Sequence, residues 1–150
     1  MSASTMRREM PVLARHEGEW EGEYLHVDAA GHELDRHQAR LSCRFPDSGP
    51  HDYYQVNLYS WSDGRREEIH FPAVYRDKRI WWDTERIRGN AWEIDERTIV
   101  LHWRRKDLPD CFLYEMIQIS EDNRRRARTW HWFERDTLVK RTCIRELRVR

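Results

Sequence analysis

His131 is the residue whose sequence surroundings most favour chemistry. It lies within an aromatic run at residues 129–133, and strand alternation places it on the face of Phe133, away from Arg126 and Arg128. If that face is interior, the imidazole can act as a general base, a hydrogen-bond anchor or a haem ligand. The alternative is a histidine that is simply hydrogen-bonded within the core.

Two further residues complete the candidate catalytic set. Tyr114 carries a phenol on the strand expected to neighbour that of His131. Asp83 shares a strand face with Glu85, and paired carboxylates divide acid and base roles when their pKa values are pushed apart. If the tryptophan-rich wall buries Asp83, desolvation raises its pKa. The alternative is a solvated rim of ion pairs with nearby arginines.

Strand faces that combine aromatic and polar side chains predict the lining of a ligand cavity. Such cavities are mostly apolar, with a few placed polar groups, and Tyr and Trp unite an apolar body with a polar tip. The alternative is that these residues fill a solid core or lie in the outer wall. The residues expected to contact a ligand are Tyr24, His26, Gln55, Asn57, Tyr59, Trp82, Trp103, Met116, Gln118 and Phe133.

Composition and charge exclude several classes of protein. The 150 residues include 27 Lys plus Arg and 27 Asp plus Glu, so the net charge is zero and we expect no nucleic-acid partner. No apolar run approaches the ~20 residues of a membrane span, so we expect no membrane partner. Residues 1–10 contain no apolar secretory segment, which predicts a cytoplasmic location.

The eight histidines and three cysteines form no local metal motif. Cys43, Cys111 and Cys143 include no Cys-x-x-Cys pair, and their odd number argues against a disulfide framework. Neither His-x-His nor His-Glu-x-x-His occurs, so we expect no metal site and no cofactor. Histidines that converge from different strands are the arrangement this reasoning leaves open.

The elements that must position these residues are short β-strands. Turn-forming residues recur about every 8 to 15 positions, with runs rich in Trp, Tyr, Val, Ile and Thr between them. We predict about ten antiparallel strands in residues 18–150, closed into an up-and-down barrel without an exposed edge. Helical spacing occurs only over residues 6–16, so residues 1–17 are expected to form a segment whose short helix caps the barrel.

Gly18-Glu19-Trp20 opens the first predicted strand, and the last predicted strand carries Arg145 and Arg148. This arrangement resembles the lipocalin-like (calycin) superfamily, in which the Trp of a Gly-x-Trp motif packs at the closed end of the barrel. The resemblance implies that Arg145 or Arg148 covers this Trp. The chain also resembles a bacterial intracellular family of unknown function with this barrel and, in its opening, haem-binding nitrobindin-type barrels. Because it lacks the secretory signal and disulfides of extracellular lipocalins, their transport role does not carry over.

These patterns predict an all-β protein, a single lipocalin-like barrel that acts as a monomer or homodimer. Its expected function is binding of a small, largely apolar and aromatic molecule inside the barrel. The alternative is a cofactor-free isomerase, cyclase or lyase that uses the same cavity with a histidine or carboxylate as acid or base. A third hypothesis is an interaction module whose barrel is filled by its own side chains.

Overall fold

A computed structural model describes residues 2–149, which begin with two short helices, α1 (Ala3–Glu9) and α2 (Pro11–Ala14). Pro11 separates them because proline lacks an amide hydrogen and is favoured only in the first turn of a helix. The predicted helix over residues 6–16 is therefore two helices, the first of which begins earlier. Neither helix in the described part of the chain is long and apolar enough to cross a membrane.

Ten strands follow and close into an antiparallel barrel. Each strand pairs with its neighbours in the chain, and β1 pairs with β10, which confirms the predicted up-and-down, lipocalin-like architecture. The strands are β1 (Gly18–Asp28), β2 (Glu33–Arg44), β3 (Tyr53–Ser60), β4 (Arg66–Arg76), β5 (Arg79–Asp83), β6 (Ile87–Glu93), β7 (Thr98–Arg105), β8 (Cys111–Ile119), β9 (Arg125–Glu134) and β10 (Thr137–Arg148).

Tight turns keep consecutive strands adjacent. Asp77 and Lys78 have φ values of 54° and 63°, and Arg135 and Asp136 have φ values of 51° and 66°. Two consecutive left-handed residues are the signature of a type I′ turn, whose twist matches that of an antiparallel ribbon. These turns fold β4 onto β5 and β9 onto β10.

The helices close one end of the barrel around Trp20. This side chain is fully buried, and the guanidinium of Arg148 lies 4.4 Å from its ring. Arg148 also donates hydrogen bonds to the backbone carbonyls of Arg15, Glu17 and Asn123, which join the helical segment to β10. Arg148 therefore fills the role that the sequence left open, while Arg145 is exposed on the outer face.

Gly22 allows β10 to approach β1 closely. A Cβ atom at this position would lie 2.1 Å from the carbonyl oxygen of Arg145 and 2.6 Å from Cγ of Glu146. The Glu146 side chain therefore crosses above Gly22 on its way into the barrel. Only glycine leaves room for this path.

The expectation that His131 faces the interior is wrong. Arg126, Arg128 and Trp130 are buried on the inner face of β9, so His131 points outward. The inner face accepts two arginines because carboxylates on β8 and β10 neutralise them there. The same reversal places four other predicted residues on the outer wall: Tyr114, Met116, Gln118 and Phe133.

Of the two interpretations of Asp83, burial in the wall is wrong and the solvated rim agrees with the structure. Asp83 is exposed at the end of β5 and pairs with Lys106 at 2.5 Å. This hydrogen bond lowers the pKa of Asp83, where burial would have raised it. The carboxylate therefore belongs to a solvated rim of ion pairs.

Candidate functional site

The end of the barrel opposite the helices opens into a recess of about 210 Å³. Its walls are formed by several strands, and every second side chain of each strand points into the barrel. The walls are largely aromatic. The aromatic residues that line the recess are Tyr24, Tyr59, Trp61, Phe71, Trp103, Trp130 and Trp132.

The aromatic side chains pack against one another nearly at right angles. The rings of Trp103 and Trp132 have centroids 5.5 Å apart at an interplanar angle of 78°, and those of Tyr24 and Trp130 are 5.6 Å apart at 83°. Such edge-to-face pairs are the favoured arrangement of aromatic quadrupoles. The recess is therefore bounded by mutually packed rings that present apolar surfaces to an occupant.

His26 is held at the rim by a hydroxyl. Its Nδ1 lies 2.7 Å from Oγ1 of Thr142, which also accepts a hydrogen bond from Nε1 of Trp132 at 2.9 Å. Burial, aided by the positive charge of Lys140, lowers the pKa of His26 to about 4. The imidazole is therefore neutral at physiological pH.

A second histidine pairs with a carboxylate beside it. Nδ1 of His37 lies 2.9 Å from Oδ2 of Asp35, and Nε1 of Trp61 donates to Oδ1 of Asp35 at 3.0 Å. Burial alone raises the pKa of Asp35, but the hydrogen bonds from His37 and Trp61 outweigh it and lower the pKa. Asp35 is therefore a carboxylate with fixed orientation.

Lys140 is the basic group that faces the recess without a carboxylate partner. Its ammonium lies 4.3 Å from the centre of the Trp132 ring, and no salt bridge to it is found within residues 2–149. Burial and the charge of Arg105 lower the pKa of Lys140. An anionic group entering the recess would supply the missing charge partner.

A buried ion network forms the floor between the recess and the closed end. Arg128 donates from Nε to Glu115 at 2.7 Å and from Nη1 to the hydroxyl of Tyr24 at 2.9 Å. Arg126 donates from Nε to Glu146 at 2.7 Å, and Nη1 of Arg128 reaches the same carboxylate at 3.4 Å. Two positive and two negative side chains therefore balance one another in the core.

The charges in this network stabilise one another. Burial by itself raises the pKa of Glu146, but Arg126 and Arg128 outweigh it and hold the pKa below its ordinary value. Burial likewise lowers the pKa of each arginine, but the carboxylates reverse this and raise it. Glu146 and both arginines are therefore ionised at neutral pH.

A smaller cavity of about 60 Å³ lies below the recess, beside a ladder of polar side chains on β3. The Tyr53 hydroxyl donates to Gln55 at 2.9 Å, Gln55 to Asn57 at 2.8 Å, and Asn57 to the hydroxyl of Tyr59 at 2.7 Å. These groups satisfy one another along the strand. A space of this size holds a few water molecules but no aromatic ring.

The predicted residues of β1, β3, β5 and β7 face the barrel interior, whereas those of β8 and β9 do not. Tyr24, His26, Tyr59 and Trp103 line the recess. Gln55, Asn57 and Trp82 line the lower cavity instead. These seven inward-facing residues are Tyr24, His26, Gln55, Asn57, Tyr59, Trp82 and Trp103.

Sequence reasoning missed Trp130 and Trp132 because they share a strand face with two arginines. A face that carries Arg126 and Arg128 was expected to be solvated. The available signal was that the two largest apolar side chains of β9 share this face. Asp35, His37, Trp61 and Lys140 were missed as well, since each is unremarkable in its own segment.

Similarity to proteins of known structure extends along most of the chain. No family model matches it, and no curated protein sequence does. The S-type phycobiliprotein lyase CPES of Guillardia theta superposes with a TM-score of 0.73 at 12% identity, covering 100% of this chain and 94% of that chain. A protein of unknown function from the DUF3598 family of Nostoc punctiforme gives a TM-score of 0.69 at 16% identity, covering 91% of this chain.

This chain spans about half of the Nostoc protein, namely 49% of its length. A third structure, EF1p2_mFAP2b bound to DFHBI, has a TM-score of 0.51 at 13% identity and covers 91% of this chain and 96% of that chain. At these identities the likeness shows a shared fold. The protein therefore shares a closed, up-and-down antiparallel barrel with these structures, as its sequence predicted.

Proposed function

We propose that this protein binds a small aromatic molecule in the recess at the open end of its barrel. The observation that carries the proposal is an aromatic-walled space of about 210 Å³ inside a closed barrel. Trp103, Trp130 and Trp132 offer ring faces and edges, while His26 and Lys140 offer polar groups at the rim. This is the division between apolar lining and few polar anchors that ligand sites use.

The volume limits the size of the occupant. An apolar cavity of about 150 Å³ accommodates benzene, and pockets for drug-sized molecules run from about 300 Å³ upward. A recess of about 210 Å³ thus fits one substituted ring or a small fused pair. In the lower half of the barrel, side chains leave only the smaller cavity of about 60 Å³ among the described residues.

The comparisons support this proposal through the shared fold. EF1p2_mFAP2b is described as bound to DFHBI, and CPES is described as a phycobiliprotein lyase. The first of these is a barrel of this fold with a small molecule bound to it. DFHBI is therefore a suitable first probe of the recess.

A pair of tryptophan variants tests where such a molecule binds. Trp132→Leu removes a ring from the recess, whereas Trp92→Leu removes one from the outer wall, where it packs against Arg79. We expect calorimetric titration with DFHBI to show about tenfold weaker binding for Trp132→Leu, the worth of one aromatic contact. The Trp92→Leu control should bind within twofold of the wild type.

Native mass spectrometry of the purified protein identifies a natural occupant. We expect a non-covalent mass excess corresponding to an aromatic molecule, which Trp132→Leu loses more readily than Trp92→Leu does. The proposal is contradicted if the protein carries no small molecule and also fails to bind DFHBI. It is contradicted equally if both variants bind like the wild type.

One contact favours acid–base catalysis in the same recess as a second candidate function. Nδ1 of His37 lies 2.9 Å from Asp35, and a histidine oriented by a carboxylate is an arrangement suited to proton transfer. The test is incubation of the protein with a small-molecule extract, followed by mass spectrometry. Conversion of an aromatic component by wild type and His70→Gln, but not by Asp35→Asn, would establish an enzyme.

A further inference from the structure

Three potential metal ligands converge at the rim of the recess from two neighbouring strands. The register of β1 and β2 places His26 opposite Asp35 and Tyr24 opposite His37. One nitrogen from each histidine and one oxygen of Asp35 lie within 4.8 Å of one another. Asp35 and His37 lie two residues apart on β2, and His26 lies on β1, so only pairing of the strands completes the cluster.

His37 is the residue that points to a ligand. It is 6% exposed, and its ring stacks on Tyr24 with centroids 5.0 Å apart. Its Nε2 atom is buried and has no hydrogen-bond partner in the part of the chain that the structure describes. A buried imidazole nitrogen without a partner is unfavourable unless another group, such as a metal ion, completes it.

Hydrogen bonds orient the other two residues, as they orient the ligands of metal sites. Nδ1 of His26 lies against the hydroxyl of Thr142 at 2.7 Å, which leaves its Nε2 for a metal. Trp61 donates to the carboxylate of Asp35 at 3.0 Å. Hydrogen bonds of this kind fix the ring and carboxylate directions of metal ligands.

We propose that His26, Asp35 and His37 bind a divalent first-row transition-metal ion such as Zn²⁺ at the rim of the barrel. Imidazole nitrogens select such ions over Mg²⁺ and Ca²⁺, which favour all-oxygen sites. At metal–ligand distances of about 2.0–2.1 Å, tetrahedral ligand atoms lie about 3.4 Å apart. Side-chain rotations must therefore shorten the longest separation between ligand atoms by up to about 1.4 Å, and Asp35 must exchange its contact with Nδ1 of His37 for the metal.

The charges around the cluster act on a bound cation in opposite directions, with Asp35 attracting it and Lys140 repelling it. Asp35 contributes the negative charge, while Lys140 contributes positive charge at His26. Three protein ligands leave a coordination position for water or for an acidic group of another molecule. That position adjoins the recess, but metal binding does not depend on the proposed aromatic ligand.

Titration of the chelator-stripped, tag-free protein with Zn²⁺ tests the site. We expect one Zn²⁺ per chain for the wild type and at least about a hundredfold weaker binding for Asp35→Asn and His26→Gln, since even outer-shell changes cost 10–100-fold. The matched control is His70→Gln. His70 pairs with Glu68 at the same two-residue spacing, at 2.6 Å, but on the exposed outer wall without a second histidine.

Two further readouts separate ligation from damage to the fold. Co²⁺ should give tetrahedral absorption bands with the wild type and with His70→Gln, but not with the other two variants, all at unchanged far-ultraviolet circular dichroism. Lys140→Met should strengthen Zn²⁺ binding severalfold, because it removes a neighbouring positive charge. Absence of stoichiometric Zn²⁺ binding, or equal affinity for wild type and Asp35→Asn, would overturn the proposal. DFHBI titration in chelator tests the aromatic site separately.

Discussion

Replacement of Glu146 by glutamine leaves the buried network with one positive charge too many. Glu146 is 2% exposed and accepts hydrogen bonds from both Arg126 and Arg128. Glutamine has the same shape and retains an acceptor oxygen, so the substitution changes charge without creating a cavity. The remaining carboxylate, that of Glu115, pairs with Arg128, so Arg126 loses its ionised partner.

Removal of one partner from a buried ion pair costs about 3–5 kcal/mol. Because glutamine keeps one acceptor for Arg126, we expect Glu146→Gln to lower the free energy of unfolding by about 3 kcal/mol. In a domain of 150 residues this corresponds to a fall of about 10 °C in Tm. The measurement is urea unfolding followed by tryptophan fluorescence, with an unchanged m value as the sign that two-state unfolding persists.

Glu21→Gln is the matched control. Glu21 also accepts a hydrogen bond from an arginine, Arg40, at 2.9 Å, but its side chain is 56% exposed. A surface pair of this kind contributes less than about 1 kcal/mol. Equal losses for Glu146→Gln and Glu21→Gln would refute the reasoning, because they would mean that burial does not amplify the charge imbalance.

Three further outcomes follow from the geometry. Burial lowers the pKa of His16, so folding favours its neutral form, and stability falls as pH drops below about 6.5 and the unfolded chain takes up the proton. His16→Gln should reduce the slope of urea-unfolding free energy against pH in this range and leave the part due to His26, whose pKa is lowered to about 4. An unaltered slope would exclude His16. Gly22→Ala drives a methyl group into the backbone of β10 and should cost about 2–3 kcal/mol, so an unchanged Tm would contradict the close approach. Lys140→Met should weaken calorimetric binding of benzoate but not of benzyl alcohol, and parallel losses would show that Lys140 pairs with no anion.

The architecture was accessible from local patterns. Turn residues at short intervals and alternation of large apolar side chains predict a meander of strands, and Gly18-Glu19-Trp20 indicates where the barrel begins. On β1, Trp20 and Tyr24 share one face and acidic residues occupy the other. In such strands the hydrophobic effect and charge solvation favour the same orientation, so the pattern has one interpretation.

The inner face of β9 could not be chosen by the same argument. One face carries Arg126 and Arg128 with two tryptophans, and the other carries His131 and Phe133. Solvation of the arginines and burial of the tryptophans favour opposite orientations. The conflict is resolved by Glu115, together with Glu146, which the sequence places far away and the barrel brings within hydrogen-bond distance.

The sequence by itself therefore determined the ten-stranded barrel, its helical cap and the aromatic content of its interior, because these depend on contacts between near neighbours in the chain. The tertiary structure alone decided that Arg148 covers Trp20, that Trp132 enters the recess, and that His26 meets Asp35 and His37. Each of these depends on strand register and on charge pairing across the barrel. No spacing along one strand can specify the partner that the next strand supplies.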